Sequence, residues 1–249
     1  MAAVTRNRRS SLRLRGLQAP KHLASHSPLR ELPAARDGEA PRSVAESYDA
    51  IVVGLGAMGS STLYHLAKRG ARVLGLEQFA SGHTLGSSHG DSRIIRELYF
   101  EHPLYVPLVQ RAYELWEALE RDAGEELLRH TGGLMIGSPE SALVRGARRS
   151  AESHGIAYEL LTHAQIRSRC PAFDPPEDYV AVWDARAGFL RPEACNQAHV
   201  RLAMQAGAQV RFEEPVTRWS PDGQGVRVIT ARAEYRAAKL IVCVGAWTN

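Results

Sequence analysis

The pattern of apolar and polar positions predicts a strand–helix–strand unit that begins near Tyr48. Ala50–Val53 is a short apolar run rich in β-branched residues, which is typical of a strand buried on both faces. Over 60–69 the apolar positions recur at helical spacing, and Gly70 is suited to end that helix. A second strand is predicted over 72–76. The unit spans about 30 residues, the usual size of a βαβ motif.

Downstream, the pattern predicts a mixture of helices and short strands. A long amphipathic helix is expected over 103–123, with one apolar stripe formed by Leu104, Leu108, Ala112, Leu115, Trp116 and Leu119. One strand is expected over 127–137. Further helices are predicted at 141–153, from a cap at Thr162, and at 192–207. Further strands are predicted at 179–183, 188–190, 210–212, 215–219, 226–230 and 239–244.

Charge separates the first part of the chain from the rest. Residues 1–46 hold nine Lys or Arg and four Asp or Glu, a net +5, so the other 203 residues sum to −1. The basicity belongs to an N-terminal extension, which argues against a nucleic-acid-binding face on the folded part. We expect 1–47 to be a disordered basic extension of a cytoplasmic protein. Its Arg- and Ser-rich, acid-poor start is also typical of an organelle transit peptide.

Composition excludes several classes of protein. No run of about 18 uncharged apolar residues exists, which excludes a membrane-spanning helix. Three scattered cysteines are too few for a disulfide scaffold, and no His or Cys cluster has metal-ligand spacing. Cys243 lies within an apolar run, where we expect a core residue and no nucleophile.

A glycine-rich turn between the first strand and the first helix carries binding chemistry. In Gly54-Leu-Gly-Ala-Met-Gly59, the first glycine permits the tight turn, the second lets a diphosphate approach the backbone, and the third lets the helix pack closely. The helix N-terminus, with Ala57 and Met58, presents N–H groups to that diphosphate. Glu77 lies 23 residues after Gly54, where its carboxylate can accept a ribose hydroxyl and disfavours NADP. A Rossmann-like adenine-dinucleotide site is predicted, but these features do not separate FAD from NAD.

The segment after Glu77 is rich in small residues and cationic donors. Ser87 and Ser88 offer hydroxyl and N–H groups to a flat cofactor. His89, Arg93 and Arg96 add cationic donors, and the two arginines would share a face in a helical turn. A guanidinium matches the two oxygens of a carboxylate. A solvated basic turn, pairing with Asp91 and Glu97, is the alternative.

The run Gly86-Ser-Ser-His-Gly-Asp-Ser-Arg-Ile-Ile-Arg96 resembles the D-amino-acid-oxidase-like flavoproteins, and within them the monomeric sarcosine oxidase and N-methyl-tryptophan oxidase branch. The resemblance extends over about 48–249, ending in Leu240-Ile-Val-Cys-Val-Gly-Ala-Trp247. It implies FAD as the cofactor and an α/β fold, in which a Rossmann-like FAD-binding domain (48–126 and 192–249) is interleaved with a mixed or antiparallel substrate sheet (127–191).

The resemblance also implies roles for individual residues. Arg96 would hold the substrate carboxylate, Arg93 would lie against the flavin ring, and His89 would flank it. Val216 would approach the adenine and Gly245 would lie close to the cofactor. The family's covalent flavin-linking cysteine would lie beyond Asn249, so we expect a fold that is incomplete at its C-terminus.

The predicted function is FAD-dependent oxidation of N-methyl amino acids by O₂, giving the demethylated amino acid, formaldehyde and H₂O₂. The resemblance implies a monomer that acts on a small N-methyl amino acid and O₂. The charge distribution and the lack of a long apolar run predict no nucleic-acid or membrane partner. Two alternatives remain at this point: a catalytically incomplete dinucleotide-binding fragment, and an NAD-dependent dehydrogenase. The dehydrogenase leaves the 87–96 motif unexplained.

Overall fold

The computed structural model describes residues 47–248, which form a mixed α/β structure. Five α-helices are found in this part of the chain: Ala57–Lys68 (α1), Val106–Ala123 (α2), Ala142–His154 (α3), His163–Arg169 (α4) and Pro192–Gln205 (α5). The strands in the first half are Ser47–Val53 (β1), Val73–Leu76 (β2), Arg93–Ile95 (β3), Leu128–His130 (β4), Gly133–Gly137 (β5) and Glu159–Leu161 (β6). Those in the second half are Val180–Asp184 (β7), Gly188–Leu190 (β8), Gln209–Arg211 (β9), Val216–Asp222 (β10), Gly225–Thr230 (β11) and Glu234–Val242 (β12).

The main sheet has six strands in the order β10-β11-β12-β1-β2-β9. Strands β12, β1, β2 and β9 are parallel, and β10 to β12 form an antiparallel meander. The predicted βαβ unit is confirmed as β1-α1-β2. Side chains on one face, such as Val52, pack against Leu63 of α1 and Ala198 of α5. Each such buried side chain contributes about 1.5–3 kcal/mol of hydrophobic stabilisation.

Two three-stranded sheets complete the α/β structure, in the orders β3-β8-β4 and β5-β7-β6. Strand β7 is covered on both faces, because Val182 packs with α3 residues and its neighbour Ala181 packs with Ile166 of α4. The alternation of successive side chains across a strand explains this division. The α/β fold class is confirmed, whereas the boundaries proposed for the two domains remain a prediction.

The apolar stripe predicted for α2 is correct only in part. Leu104 is 74% exposed, Leu108 is 68% exposed and Leu115 is also exposed. The buried positions are Val106, Val109, Tyr113 and Leu119, of which only Leu119 belongs to the predicted stripe. Helix α2 begins at Val106, after a short 3-10 turn, and its β-branched and aromatic side chains are the ones that meet the core. Tyr113 is fully buried in the core, and Trp116 packs against the same core cluster.

Two strand predictions are also corrected. The single strand predicted over 127–137 is two strands in different sheets, because Gly132 takes a φ of +70° and turns the chain between them. The buried strand predicted over 239–244 is the end of the longer β12, where Lys239 and Val242 are exposed. Pro221 lies inside β10, an edge strand, where a missing N–H is tolerated.

The N-terminal prediction for 1–47 falls almost wholly outside the described residues. Within 47–248, no helix has the length and apolar character needed to cross a membrane.

Candidate functional site

A cavity of about 820 Å³ opens at the carboxyl ends of β1, β2 and β12. Ligands of open α/β sheets bind at this edge, where loops leave the strands. The wall includes the β1–α1 turn, the segment after β2, the first turns of α5 and the residues after β12. Elements far apart in the sequence therefore converge on one site.

Each glycine of the first turn is required for a different structural reason. Gly54 has a φ of +86°, and a Cβ there would lie 2.7 Å from the carbonyl oxygen of Cys243. A Cβ on Gly59 would lie 1.7 Å from the carbonyl oxygen of Gly54, so α1 can approach β1 only with glycine at this position. A Cβ on Gly56 would crowd Ser88 Oγ at 3.1 Å.

The N-terminus of α1 faces the cavity. Its N-cap is Gly56, which provides no capping side chain, and Ala57 and Met58 follow on the cavity wall. The Ala57 N–H donates to Ser88 Oγ over 3.0 Å. Free N–H groups and the helix dipole make such an end attractive to a phosphate.

Glu77 is buried, with 5% of its surface exposed, directly after β2. Its Oε2 accepts the Leu55 N–H over 2.8 Å, and its Oε1 accepts the Phe79 N–H over 3.1 Å. His83 Nε2 lies 3.5 Å from the same Oε1. A carboxylate accepts about four hydrogen bonds, so Glu77 retains capacity for a hydroxyl from the cavity.

Three aromatic side chains line the cavity near Glu77. Phe79 contacts the rings of His83 and Trp247, with centroids 4.8 Å and 5.6 Å away. The Trp247 indole N–H donates to the Leu85 carbonyl over 3.2 Å. This contact joins the chain after β12 to the segment after β2.

The two arginines of the motif do not share a helical face. Arg93 begins β3, which pairs with β8, and its Nη2 donates to the carbonyls of Ser87 and His89 over 2.9 Å and 3.0 Å. The β-branched Ile94 and Ile95 favour this extended conformation over the helical turn considered from the sequence. Arg93 therefore ties down the segment that precedes it.

Arg96 lies in a different environment, immediately after β3. Its guanidinium stacks over the rings of Tyr99 and Phe100, at 4.7 Å and 5.1 Å, and its Nη2 lies 2.6 Å from Glu101 Oε1. Its Nε is buried and has no hydrogen-bond partner within 47–248. Arg96 therefore pairs with Glu101. The alternative considered from the sequence had named Asp91 and Glu97 as the paired carboxylates.

A buried carboxylate fixes the backbone just after Arg96. Asp184 Oδ2 accepts the N–H groups of Glu97 and Leu98 over 2.7 Å and 3.1 Å. Its Oδ1 accepts those of Arg186 and Ala187 over 3.0 Å and 3.1 Å. The end of β3 is thus bound to the turn between β7 and β8.

Cys243 and the acidic groups of the site have no metal-binding arrangement. Burial raises the pKa of the Cys243 thiol, which disfavours the reactive thiolate at neutral pH. Over residues 47–248, no group of three or more His, Cys, Asp and Glu side chains could hold a metal ion.

Most of the residues predicted from the sequence lie on the cavity wall. They are Gly54, Gly56, Ala57, Met58, Glu77, Ser87, Ser88, Val216 and Gly245. Gly59, His89, Arg93 and Arg96 are not part of the wall; Gly59 packs α1 against the sheet. Sequence reasoning gave no site role to Phe79, Glu193, Asn196 or Trp247, and of these only Trp247 lies in a segment that carries the family resemblance.

Comparisons with known proteins agree with this geometry. The family model "FAD dependent oxidoreductase" matches residues 49–249. Monomeric sarcosine oxidase of Streptomyces avermitilis is 50% identical over 204 residues, covering 82% of this chain and 53% of that protein. N-methyl-L-tryptophan oxidase of Yersinia pestis is 36% identical over 202 residues, covering 81% and 54%. The chain thus spans about half the length of these curated relatives.

Among solved structures, NikD, an unusual amino acid oxidase, aligns with a TM-score of 0.75 and 32% identity, covering 82% of this chain and 53% of that one. The matching family model spans nearly all of the described residues, including the glycine turn and Glu77. The chain therefore belongs to the FAD-dependent oxidoreductase family.

Proposed function

We propose that this chain binds FAD in the cavity and serves in the oxidation of N-methyl amino acids by O₂. The observation that carries the proposal is the convergence of the glycine turn, the α1 N-terminus and buried Glu77 on one cavity. These three features match the diphosphate and ribose of an adenine dinucleotide.

The residues of the cavity fit FAD. The α1 N-terminus would receive the diphosphate where Gly56 leaves room for it, and Glu77 would accept a ribose hydroxyl. Val216 and Gly245 add apolar and backbone surface to the cavity wall. When bound, FAD supplies the two-electron redox chemistry, while the protein supplies orientation and electrostatics.

Arg96 is the proposed anchor for the substrate carboxylate. Its guanidinium lies over two aromatic rings, and one of its donors, Nε, is unpartnered among the described residues. A substrate carboxylate would compete with Glu101 for the guanidinium. The fork geometry of arginine suits a bidentate carboxylate.

Arg93 and His89 are the other two residues proposed for the flavin side of the site. Arg93 places a positive charge beside the Ser87–His89 backbone that it binds. A fixed cation there would favour the anionic reduced flavin. The names of two relatives, sarcosine oxidase and N-methyl-L-tryptophan oxidase, support an N-methyl amino acid as the substrate class.

The test is a flavin spectrum and a peroxide assay on the purified protein. We expect a yellow protein that releases H₂O₂ and formaldehyde with sarcosine or N-methyl-tryptophan. FAD binding without turnover of either compound would overturn the substrate proposal and favour a dinucleotide-binding fragment. NADH formation without a flavin spectrum would overturn the cofactor as well.

A further inference from the structure

The loop at 81–92, between β2 and β3, forms one wall of the cavity but contains neither helix nor strand. The backbone hydrogen bonds around it are short-range, from the His83 N–H to Ala80 and from the Ser92 N–H to Gly90. Many of its side chains are exposed, so a hydrophobic core does not hold it. Its position depends on contacts made by other elements.

Two successive residues of this loop adopt left-handed backbone conformations. Gly90 has a φ of +110° and Asp91 a φ of +63°. A non-glycine residue at positive φ is strained and persists when surrounding contacts stabilise it. Successive N–H groups in such a turn can converge on an anion.

The anion at this turn is the carboxylate of Glu193, in the first turn of α5. Glu193 Oε1 accepts the Gly90 N–H over 2.6 Å, and the Asp91 N–H lies 3.5 Å from the same oxygen. Hydrogen bonding from Gly90 lowers the pKa of Glu193, in keeping with a stabilised carboxylate. The residues in contact are about 100 positions apart in the sequence.

The first turns of α5 also bind the loop at Ser88. Asn196 Nδ2 donates to the Ser88 carbonyl over 3.4 Å, and Asn196 Oδ1 accepts from Ser60 of α1 over 3.5 Å. Ser88 Oγ in turn accepts the N–H of Ala57, at the start of α1. Helix α5 therefore connects the loop to the helix end proposed to bind the diphosphate.

We propose that Glu193 is a positioning residue for FAD, since its carboxylate holds the 81–92 loop in the conformation that forms the cavity wall. This inference rests on the proposed binding of FAD in that cavity. Without the carboxylate, the Gly90–Asp91 turn loses its acceptor and the loop samples other conformations. The cofactor must then order the loop on binding, which weakens affinity.

The experiment compares the flavin-free chain with its Glu193→Ala and Glu193→Gln variants. FAD affinity is measured by fluorescence titration, and amide hydrogen exchange is followed over 81–92. We expect Glu193→Ala to raise the Kd for FAD about tenfold and to speed exchange of the Gly90 and Asp91 amides. Glu193→Gln keeps one oxygen acceptor but loses the charge, so its Kd should rise about threefold.

A matched control is Glu177→Ala, which removes an exposed carboxylate with no hydrogen bond or ion pair among the described residues. It should leave both readouts unchanged. Equal Kd values and equal exchange rates for wild type and Glu193→Ala would overturn the inference. Exchange in the flavin-free chain needs neither substrate nor FAD. It therefore decides whether Glu193 holds the 81–92 loop even if the proposed function fails.

Discussion

At the scale of single residues, the partners of a charged group determine what it can do. The Arg93 guanidinium donates to two carbonyls of the preceding loop, whereas the Arg96 guanidinium lies over aromatic rings and its buried Nε has no hydrogen-bond partner within 47–248. Arg93 is therefore suited to hold the loop, and Arg96 to receive an added carboxylate. Substitutions at the two positions should have different consequences.

Replacing Arg96 should weaken substrate binding and leave the cofactor in place. In Arg96→Ala a substrate carboxylate would lose its partner, at a cost of about 2–5 kcal/mol, so the KM for an N-methyl amino acid should rise at least about tenfold. Arg96→Lys keeps the charge but loses the fork geometry, so its KM should lie between those of wild type and Arg96→Ala. Flavin absorbance should stay near the wild-type value, since the glycine turn and Glu77 are unchanged.

Arg93→Ala is the comparison for that experiment. It removes the two hydrogen bonds that Nη2 donates to the Ser87 and His89 carbonyls. We therefore expect slower flavin reduction and a smaller change in KM than in Arg96→Ala. Stopped-flow absorbance and steady-state kinetics separate the two effects. Equal and small effects from both substitutions would mean that the carboxylate is bound elsewhere.

Gly59→Ala should be among the most damaging single changes in the βαβ unit. The new Cβ would meet the Gly54 carbonyl oxygen at 1.7 Å, so α1 must move away from β1, and overpacking of this kind costs about 1–3 kcal/mol or more. Gly70→Ala is the control: its φ of +82° is unfavourable for alanine, but a Cβ there would have no described atom within 4 Å beyond its chain neighbours. Urea unfolding should show a larger loss in the free energy of unfolding for Gly59→Ala than for Gly70→Ala. Equal losses would contradict the close-packing explanation.

At the scale of elements, the sequence predicted what depends on neighbours along the chain. The glycine turn, the α5 start at Pro192 and the cap at Thr162 each follow from local rules, and all are present, whereas α1 begins at Ala57, three residues before the predicted start. The buried face of α2 was predicted correctly only at Leu119, because two apolar stripes compete there and tertiary packing selects Val106, Val109 and Tyr113. The contact between Glu193 and the 81–92 loop joins residues about 100 positions apart, so local rules could not predict it.

The interface of α1, α2 and α5 contains a buried histidine that should make stability depend on pH. His199 of α5 contacts the rings of Tyr64 and His65 on α1 and of Trp116 on α2. Its Nδ1 has no partner within 47–248. Burial, and to a lesser degree the charge of His65, lowers the pKa of His199 from 6.5 to about 4.

Because the folded pKa lies below the unfolded one, the unfolded chain binds the proton more readily. The contribution of His199 to stability is therefore complete above pH 6.5 and declines as the pH falls toward about 4, by about 3 kcal/mol in all. Urea unfolding between pH 7.5 and 4 should show this decline. His199→Gln should reduce the slope, whereas His154→Gln, at the exposed end of α3, should not; equal slopes in all three proteins would contradict the assignment.

At the scale of the described structure, the three sheets are joined by core packing and by the hydrogen bonds that Asp184 accepts. The sequence predicted the β1-α1-β2 unit, and the parallel pairing of β1 with β2 follows from the βαβ rule. The pairing of β3 with β8 could not be predicted, because three-residue strands carry too little pattern to specify a partner. Arg96 nevertheless owes its position to that pairing and to the hydrogen bonds from Asp184 that follow it.

Binding of FAD should stabilise this structure as a unit, since the cavity wall draws on α1, α5, the 81–92 loop and the end of β12. A ligand present at 100 times its Kd adds about 2.7 kcal/mol, which corresponds to a rise in Tm of about 5–10 °C for a chain of this size. NAD⁺ at the same concentration should produce a much smaller rise, because the family uses FAD. Thermal unfolding followed by circular dichroism measures both, with Gly59→Ala as a variant whose response to FAD should be lost. A shift with NAD⁺ that equals or exceeds the shift with FAD would instead favour a nicotinamide-dependent dehydrogenase.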